Sequence, residues 1–461
     1  MPTLEELRKT RMEKLEAIKA SGKNPYPTET ERGEEIKAAI AKFRLWQIIK
    51  KEIRLAGRIR AIRAHGKALF FDLEDGAGKI QCFLNPADLK NKKSYDDFTA
   101  HFDIGDFVQA SGVLFKTKKG EETVRIKEFK MLAKALRPLP EKWHGLKDIE
   151  ERYRKRYLDL LMNPEVKEKF LVRSKIIGEI RNFLDKNGYG EFETPMLQLI
   201  PGGATARPFK THLNALDLDL YLRIAPELYL KRLLVGGFEK VYEIGRNFRN
   251  EGMDATHNPE FTMLEAYAAY RDSSYLKTFI RDMFNYLIKS LNNGKAVIEY
   301  ENNKIDFAAP WQEKTYDELV NKYGDFDAAK KTLIQPTFVS GFPAETLPLS
   351  KKSEKKPEKA DAFQIFAGGL ELVKAFTEQN DPIEQRARFE EQEKLRAGGE
   401  EEAQRLDEDF LEALEYGMPP AAGFGAGIDR LALLLTNSHA VREIILFPAM
   451  KPRDQKIESS E

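Results

Sequence analysis

The 461-residue sequence has a single cysteine, Cys82, which excludes an internal disulfide and suits a reducing compartment. No thiol-catalysis motif surrounds it, so its expected role is that of a buried filler. Nor is there an apolar run of membrane-spanning length, and the N-terminus, MPTLEELRKTRMEKLEAIKASG, alternates acids and bases without a signal-peptide core. A cytoplasmic protein with no membrane contact is expected. Net charge is almost missing as well, at +1, but the cancellation hides an asymmetry. Residues 1–150 carry 31 Lys+Arg against 23 Asp+Glu, and the remainder 44 against 51. A polyanion partner for the basic front and plain solvated surface charge both fit that split. What the chain does have, 42% apolar and aromatic residues with 32% charged ones, describes a soluble globular protein of two or three domains.

Hydropathy changes period along the chain. Residues 1–50 read as a helical segment, with Leu4, Leu7 and Met12 at helical spacing and a break at SGKNPYP. From 51 to 137 the period is two: Ile53, Leu55, Gly57 and Ile59 alternate, turns fall at His65-Gly66 and Asp75-Gly76, and strands resume through Phe71 and Leu73 and then Ile80 and Phe83. Two further strands flank Lys119-Gly120. Five short strands suggest a closed barrel of the oligonucleotide-binding (OB) kind, with a generic β domain as the alternative. Residues 138–164, headed by Pro138 and Pro140, read as a linker with short helices. A helix follows over about 165–187, with a stripe through Phe170, Ile177, Ile180 and Leu184, stopping at Asn187-Gly188. The remainder, within a domain spanning 165–461, lacks a repeating βαβ order, which favours a mostly antiparallel sheet flanked by helices; the fold class is α+β.

The stretch IGRNFRNEGMDATHNPEFTMLEAYAAY (244–270) concentrates charge within an aromatic frame. On a strand over 241–249, Tyr242, Ile244 and Phe248 share one face and Glu243, Asn247 and Arg249 the other. On a returning strand, Phe261, Met263, Glu265 and Tyr267 lie together, and the intervening loop carries Glu251, His257 and Asn258. A face holding Arg249, Glu265, Tyr267 and Phe261 is a poor core and a plausible site: a guanidinium binds two oxygens of a phosphate or carboxylate, and an aromatic face stacks a flat base. An ion-pair ladder on a two-stranded ribbon is the bland alternative. Further on, PPAAGFGAGIDRLALLLTNS alternates Gly423, Gly425 and Gly427, stripping one side of a strand of Cβ atoms before Arg430 opens an apolar helix.

On these motifs the chain resembles the bacterial class II lysyl-tRNA synthetases over nearly its whole length. FLVRSKIIGEIRNFLDKNGYGEFETPML is similar to the family's first motif, GRNFRNEG...HNPEFTMLEAY to its second and PPAAGFGAGIDRLALLLTNS to its third. ERYRKRYLDLL, GGATARPF, APELYLKRLLVGGFEKVYEIGRNFRNEG, DEDFLEALEYGMPP and REIILFPAM narrow the resemblance to the lysine branch. It implies a homodimer that joins L-lysine and ATP into lysyl-adenylate and passes the lysyl group to tRNA(Lys), with Mg2+ on the nucleotide. Arg249 would bridge the amino-acid carboxylate and the α-phosphate, and Arg430 would hold the far phosphates. Phe261 would stack under adenine, with Glu251, His257 and Asn258 around the nucleotide. Glu371 matches one metal carboxylate; the other, usually acidic, is Gln364 here. Glu227 and Glu378, with Tyr267 beside them, match the carboxylates that hold the lysine side chain, and Gly203 and Glu265 match contacts to the α-amino group.

A second departure is Lys374, where the family pattern has asparagine; simple alternation from Glu371 sends it to the opposite face of its strand. In the barrel, Phe70 and Gln81 match the positions that stack on and hydrogen-bond the central anticodon base, while Phe71 competes with Phe70 for the outward place. Arg58 and Arg63 are candidate RNA backbone contacts. Another amino acid, asparagine or aspartate, and a non-catalytic RNA-binding relative are the alternatives. The paired acids oppose the first, and Arg249, Glu371 and Arg430 oppose the second.

Overall fold

The computed structural model describes residues 2–140, 148–400 and 402–452. The chain divides into two compact units, Met1–Gly145 and Leu146–Glu461.

In the first unit, five strands close a barrel in the order β1-β2-β3-β5-β4: β1 Glu52–His65, β2 Ala68–Glu74, β3 Lys79–Leu84, β4 Phe107–Lys116 and β5 Glu122–Ala133. Period-two alternation drives Ile53, Leu55, Ile59, Phe71, Leu73, Ile80, Cys82 and Leu84 inward, all buried. Phe83 departs from the sequence reading. It stands between inward Cys82 and Leu84 and therefore faces outward, where its ring lies 4.9 Å from that of Phe70. The helix α1 (Leu4–Ala20) begins at a Thr3/Glu6 capping box. Its buried face is Arg11, Leu15 and Ile18, whereas Leu4 is 48% exposed. Arg11 sits inward because it satisfies the carbonyls of Ile104, Ala135 and Arg137 at 3.0–3.1 Å.

In the second unit, one eight-stranded sheet carries the site. Its six inner strands are antiparallel to their neighbours along the run Thr337–Ser340, Ala362–Ala367, Leu370–Thr377, Ala421–Gly427, Glu260–Ala269 and Lys240–Phe248. Only the two outermost pairings, through Gln312–Thr315 and Gly190–Glu191, are parallel. The helix Pro164–Lys186 starts on Pro164 at its first turn and ends before Gly188, at φ +77°. Its inward stripe is Val166, Ile176, Ile180 and Leu184; Ile176 takes the fully buried place expected of Ile177. With helices Ser273–Leu291 and Ile428–Leu435 it covers one sheet face. The other face is packed under helices Glu227–Val235 and Glu408–Glu415 and opens beside them into a cavity.

Of the stretch read as a linker, residues 141–147 lie outside the described residues. Residues 149–162 form two short helices, and buried Arg156 ties them to the carbonyls of Arg442 and Leu446 at 2.7 and 3.1 Å.

The barrel's tightest point is Gly112, beside a bulge in the β4/β5 pairing. A Cβ there would stand 2.0 Å from the Arg125 carbonyl oxygen, and because the obstacle is backbone, no side chain can yield. Gly112→Ala should destabilise the barrel by about 1–3 kcal/mol, read as a lower urea midpoint for the intrinsic fluorescence of the first unit; an unchanged midpoint would contradict the close approach.

Candidate active site

Three adjacent strands bring charged residues together by register. Across 260–269, 421–427 and 370–377, Glu265 faces Gly425 and Gly425 faces Lys374; one row on, Tyr267 faces Gly423 and Gly423 faces Phe376. The two glycines are required by what stands over them. A Cβ on Gly423 would fall 2.2 Å from the Tyr267 ring and 2.5 Å from Glu378 Oε1, and one on Gly425 would fall 2.4 Å from the Met263 methyl. The resulting glycine floor underlies a cavity of about 330 Å³ whose walls include Arg249, Phe261, Glu265, Glu371 and Arg430.

One end of the cavity is cationic. The Arg249 guanidinium lies 5.0 Å from the Phe261 ring centroid, its Nε is buried without a hydrogen-bond partner, and burial pulls its pKa down. Arg430 lies in the first turn of the helix that follows the glycine strand. It donates to the Glu371 carbonyl at 3.1 Å and lies 3.2 Å from His257 Nε2. His257 Nδ1 is 2.9 Å from the Asp254 carboxylate, whose pKa falls to about 2 under these hydrogen bonds despite some desolvation. With its proton on Nδ1, the ring gives that proton to Asp254 and accepts from Arg430. Asn258 donates to the Glu260 carbonyl at 2.7 Å and keeps a buried, unpartnered Oδ1, while Glu251 lies at the rim. Sequence reasoning passed over Asp429. It accepts from the Thr262 amide at 2.9 Å and from Arg173 at 2.7 Å, fixing the helix turn that presents Arg430.

The other end is acidic. Glu227, Glu265 and Glu378 are all buried around Tyr267, whose hydroxyl donates to Glu265 Oε2 at 2.8 Å. Sequence reasoning missed the cation among them. Fully buried Lys231 reaches Glu227 at 2.7 Å and Glu378 at 2.5 Å. Its signal was present, since Glu227 and Lys231 are four apart on one helix and so share a face. Gly203, at φ +87°, abuts Glu227: a Cβ there would be 2.8 Å from that of Glu227.

Lys374 corrects the alternation argument. The register runs Ile365↔Val373 and then Phe366↔Glu371, so Leu372 is an extra residue, a β-bulge. The bulge restores Glu371 and Lys374 to one face, and both line the cavity. Lys374 pairs across the strand with Gln364, whose Oε1 is buried without a partner.

On the barrel, Phe70 is outward and Phe71 is in the core. Phe70, Phe83 and Phe115 form a chain of rings at 4.9 and 5.9 Å, with the Arg125 guanidinium 4.6 Å from Phe115. Gln81 accepts from the Thr123 hydroxyl at 3.0 Å. Arg63 is paired with Asp72 at 2.7 Å, and Arg58 stacks on Phe107 at 4.2 Å while donating to the Gly105 carbonyl. Both arginines therefore have partners within the barrel.

Burial raises the carboxyl of Glu265 to about 8, with neighbouring Glu227 adding to the shift; burial raises Glu378 in the same direction despite Lys231. The folded protein thus holds protons here that the unfolded chain loses near pH 4.5. Stability from these groups is complete below that value and is lost as pH rises towards about 8. Between pH 6 and 8.5 the thermal midpoint of the ligand-free protein should fall, and Glu265→Gln should flatten that fall; equal slopes would contradict the buried acid.

Comparison with known proteins identifies the family of both units. Residues 148–451 match the family model of class II tRNA synthetases (D, K and N), and residues 53–139 match that of OB-fold nucleic acid binding domains. The lysine–tRNA ligase of Pelotomaculum thermopropionicum is 48% identical over 98% of this chain and 96% of its own. That of Syntrophomonas wolfei is 46% identical, covering 98% of both, and that of Magnetococcus marinus 43%, covering 95% of both. An OB-fold domain followed by a synthetase domain is thus matched along the chain, and the chain belongs to the class II tRNA synthetases of the D, K and N group.

Proposed function

We propose that the chain is a lysine–tRNA ligase that activates L-lysine with ATP and esterifies tRNA(Lys). Charge matching carries the reading. Three buried carboxylates, Glu227, Glu265 and Glu378, surround one internal cation, Lys231, which leaves two negative charges when all are ionised. Lysine alone among the three candidate amino acids brings two ammonium groups to meet them. A desolvated ammonium must be paired, so this end rejects asparagine and aspartate side chains by leaving buried acids unmet. Glu227, Glu378 and Tyr267 take the side-chain ammonium, and Gly203 and Glu265 the α-amino group. The curated relatives, all lysine–tRNA ligases by name, support the assignment.

In activation a lysine carboxylate oxygen attacks the α-phosphorus of ATP. The new P–O bond forms as the α–β bridge breaks, and pyrophosphate leaves with the electron pair. Arg249 holds the carboxylate against the α-phosphate, Arg430 holds the outer phosphates, and Phe261 offers its face to adenine, with Glu251, His257 and Asn258 at the nucleotide's edge. No proton moves in this step, so positioning and fixed charge supply the rate. In transfer, a hydroxyl of the terminal tRNA ribose attacks the adenylate carbonyl, and AMP departs with the electron pair while the hydroxyl proton is released.

Mg2+ fits as an ion that arrives on the triphosphate. Glu371 offers a hard carboxylate on the cavity wall and Gln364 an unpartnered amide oxygen on the same sheet face; among the described residues no cluster of three metal-binding side chains stands ready. Bound there, the ion would neutralise phosphate charge.

The barrel reads the anticodon through its outer rings, with Phe70 stacking and Gln81 selecting a base edge; Arg58 and Arg63 would reach RNA only by exchanging their present partners. Exposed Leu171, Met196, Leu197 and Leu199 support a homodimer. No helix among the described residues is long and apolar enough to cross a membrane, which is compatible with a cytoplasmic enzyme.

Amino-acid-dependent exchange of pyrophosphate into ATP tests the assignment: lysine should support it, and asparagine and aspartate should not. Arg249→Ala should abolish that exchange while anticodon-stem binding persists, and loss of RNA binding instead would refute the division of labour. Phe70→Ala should slow tRNA charging at least several-fold, as expected for the loss of roughly 1–3 kcal/mol of base stacking, with exchange unaltered; unchanged charging removes the stacking role.

A further inference from the structure

Two cations in the cavity have no carboxylate partner within ion-pair distance among the described residues. The side chains of Arg249 and Lys374 make no hydrogen bond and no ion pair of their own among the described residues, although both line the cavity and Arg249 Nε is buried. A desolvated cation without a partner is costly unless a guest supplies the opposite charge. Lys374 lies within the field of Arg249, Glu371 and Glu227, in the row it shares with Gly425 and Glu265. That row lies between Met263 and Gly427 towards Arg430 and Tyr267 and Gly423 towards Glu378. Lys374 thus occupies the boundary between the arginine end and the glutamate end. Gly425 has no side chain to block it, and its other cross-strand neighbour, Gln364, is neutral.

Resting on the lysine–tRNA ligase reading, we propose that Lys374 is a second cationic contact, beside Arg249, for the reacting carboxylate of the amino acid. The alternative for an ammonium in a lysine pocket is to repel the substrate's own amines. Place decides between them. At this boundary the amino acid presents its carboxylate, and the acids that receive its amines lie in the same row and beyond. Two cations on one carboxylate fix the in-line oxygen more tightly than one, at the point where activation joins it to phosphorus.

The test pairs two ligands across three proteins. Lysine and lysinamide, which lacks the carboxylate charge, are titrated calorimetrically into the intact wild-type protein and its Lys374→Gln and Lys374→Arg variants. Lys374→Gln should weaken lysine roughly ten-fold or more, leave lysinamide unchanged or tighter, and raise the KM for lysine in pyrophosphate exchange; Lys374→Arg should restore most of the lysine affinity. Equal effects on both ligands, or tighter lysine binding by Lys374→Gln, overturns the proposal. The wild-type exchange assay separates the two readings: lysine-dependent exchange with an indifferent Lys374→Gln refutes only this contact, whereas exchange without lysine preference refutes the assignment beneath it.

Discussion

The second unit depends on keeping opposite charges apart inside one cavity. Arg249, Lys374 and Arg430 face one way and Glu227, Glu265 and Glu378 the other, with Lys231 alone placed among the acids. Were the two sets to collapse onto one another, each charge would be satisfied and nothing would be left for a zwitterionic guest. The sheet prevents this. Side chains in register on 260–269 and 370–377 are held on either side of a strand whose inward positions are glycine, and the purely backbone floor keeps them from closing. Binding then substitutes for the missing ion pairs, and its free energy goes into aligning carboxylate and phosphorus.

The supports of this arrangement are polar and largely buried, and each cation is paired with a carboxylate. Asp429 joins the long helix, through Arg173, to the turn that carries Arg430. Arg223, fully buried, pairs with Glu243 at 2.5 Å beneath the strand that leads to Arg249. Such networks fix one geometry because a half-made version leaves a buried charge exposed to hydrocarbon.

Much of this could be read from the chain. Period-two alternation placed Arg249, Phe261, Glu265 and Tyr267 on a common face, and the spaced glycines announced a surface without Cβ atoms. Both signals are local, since a strand's two faces follow from neighbouring residues. The unread parts came from longer range or from irregularity. The bulge at Leu372 leaves no mark in hydropathy, and it reversed the expected side of Lys374. Lys231 was passed over because one of its two acids lies 147 positions away, at Glu378. Nothing local marks Arg11 as a buried residue of α1, and only the three carbonyls it meets explain its burial.

The bulge also constrains how this segment can vary in length. Straightening the strand at its present length would drive the ammonium into the hydrocarbon beneath the sheet and turn Val373 towards the cavity, whereas deleting one of the two residues between Glu371 and Lys374 would remove the bulge and leave both charges on the cavity side. A single-codon gap is absorbed here, where in an unbulged strand it would exchange the two faces. Among descendants of this gene, the stretch 371–374 should therefore lose one residue more readily than the regular strand on either side of it.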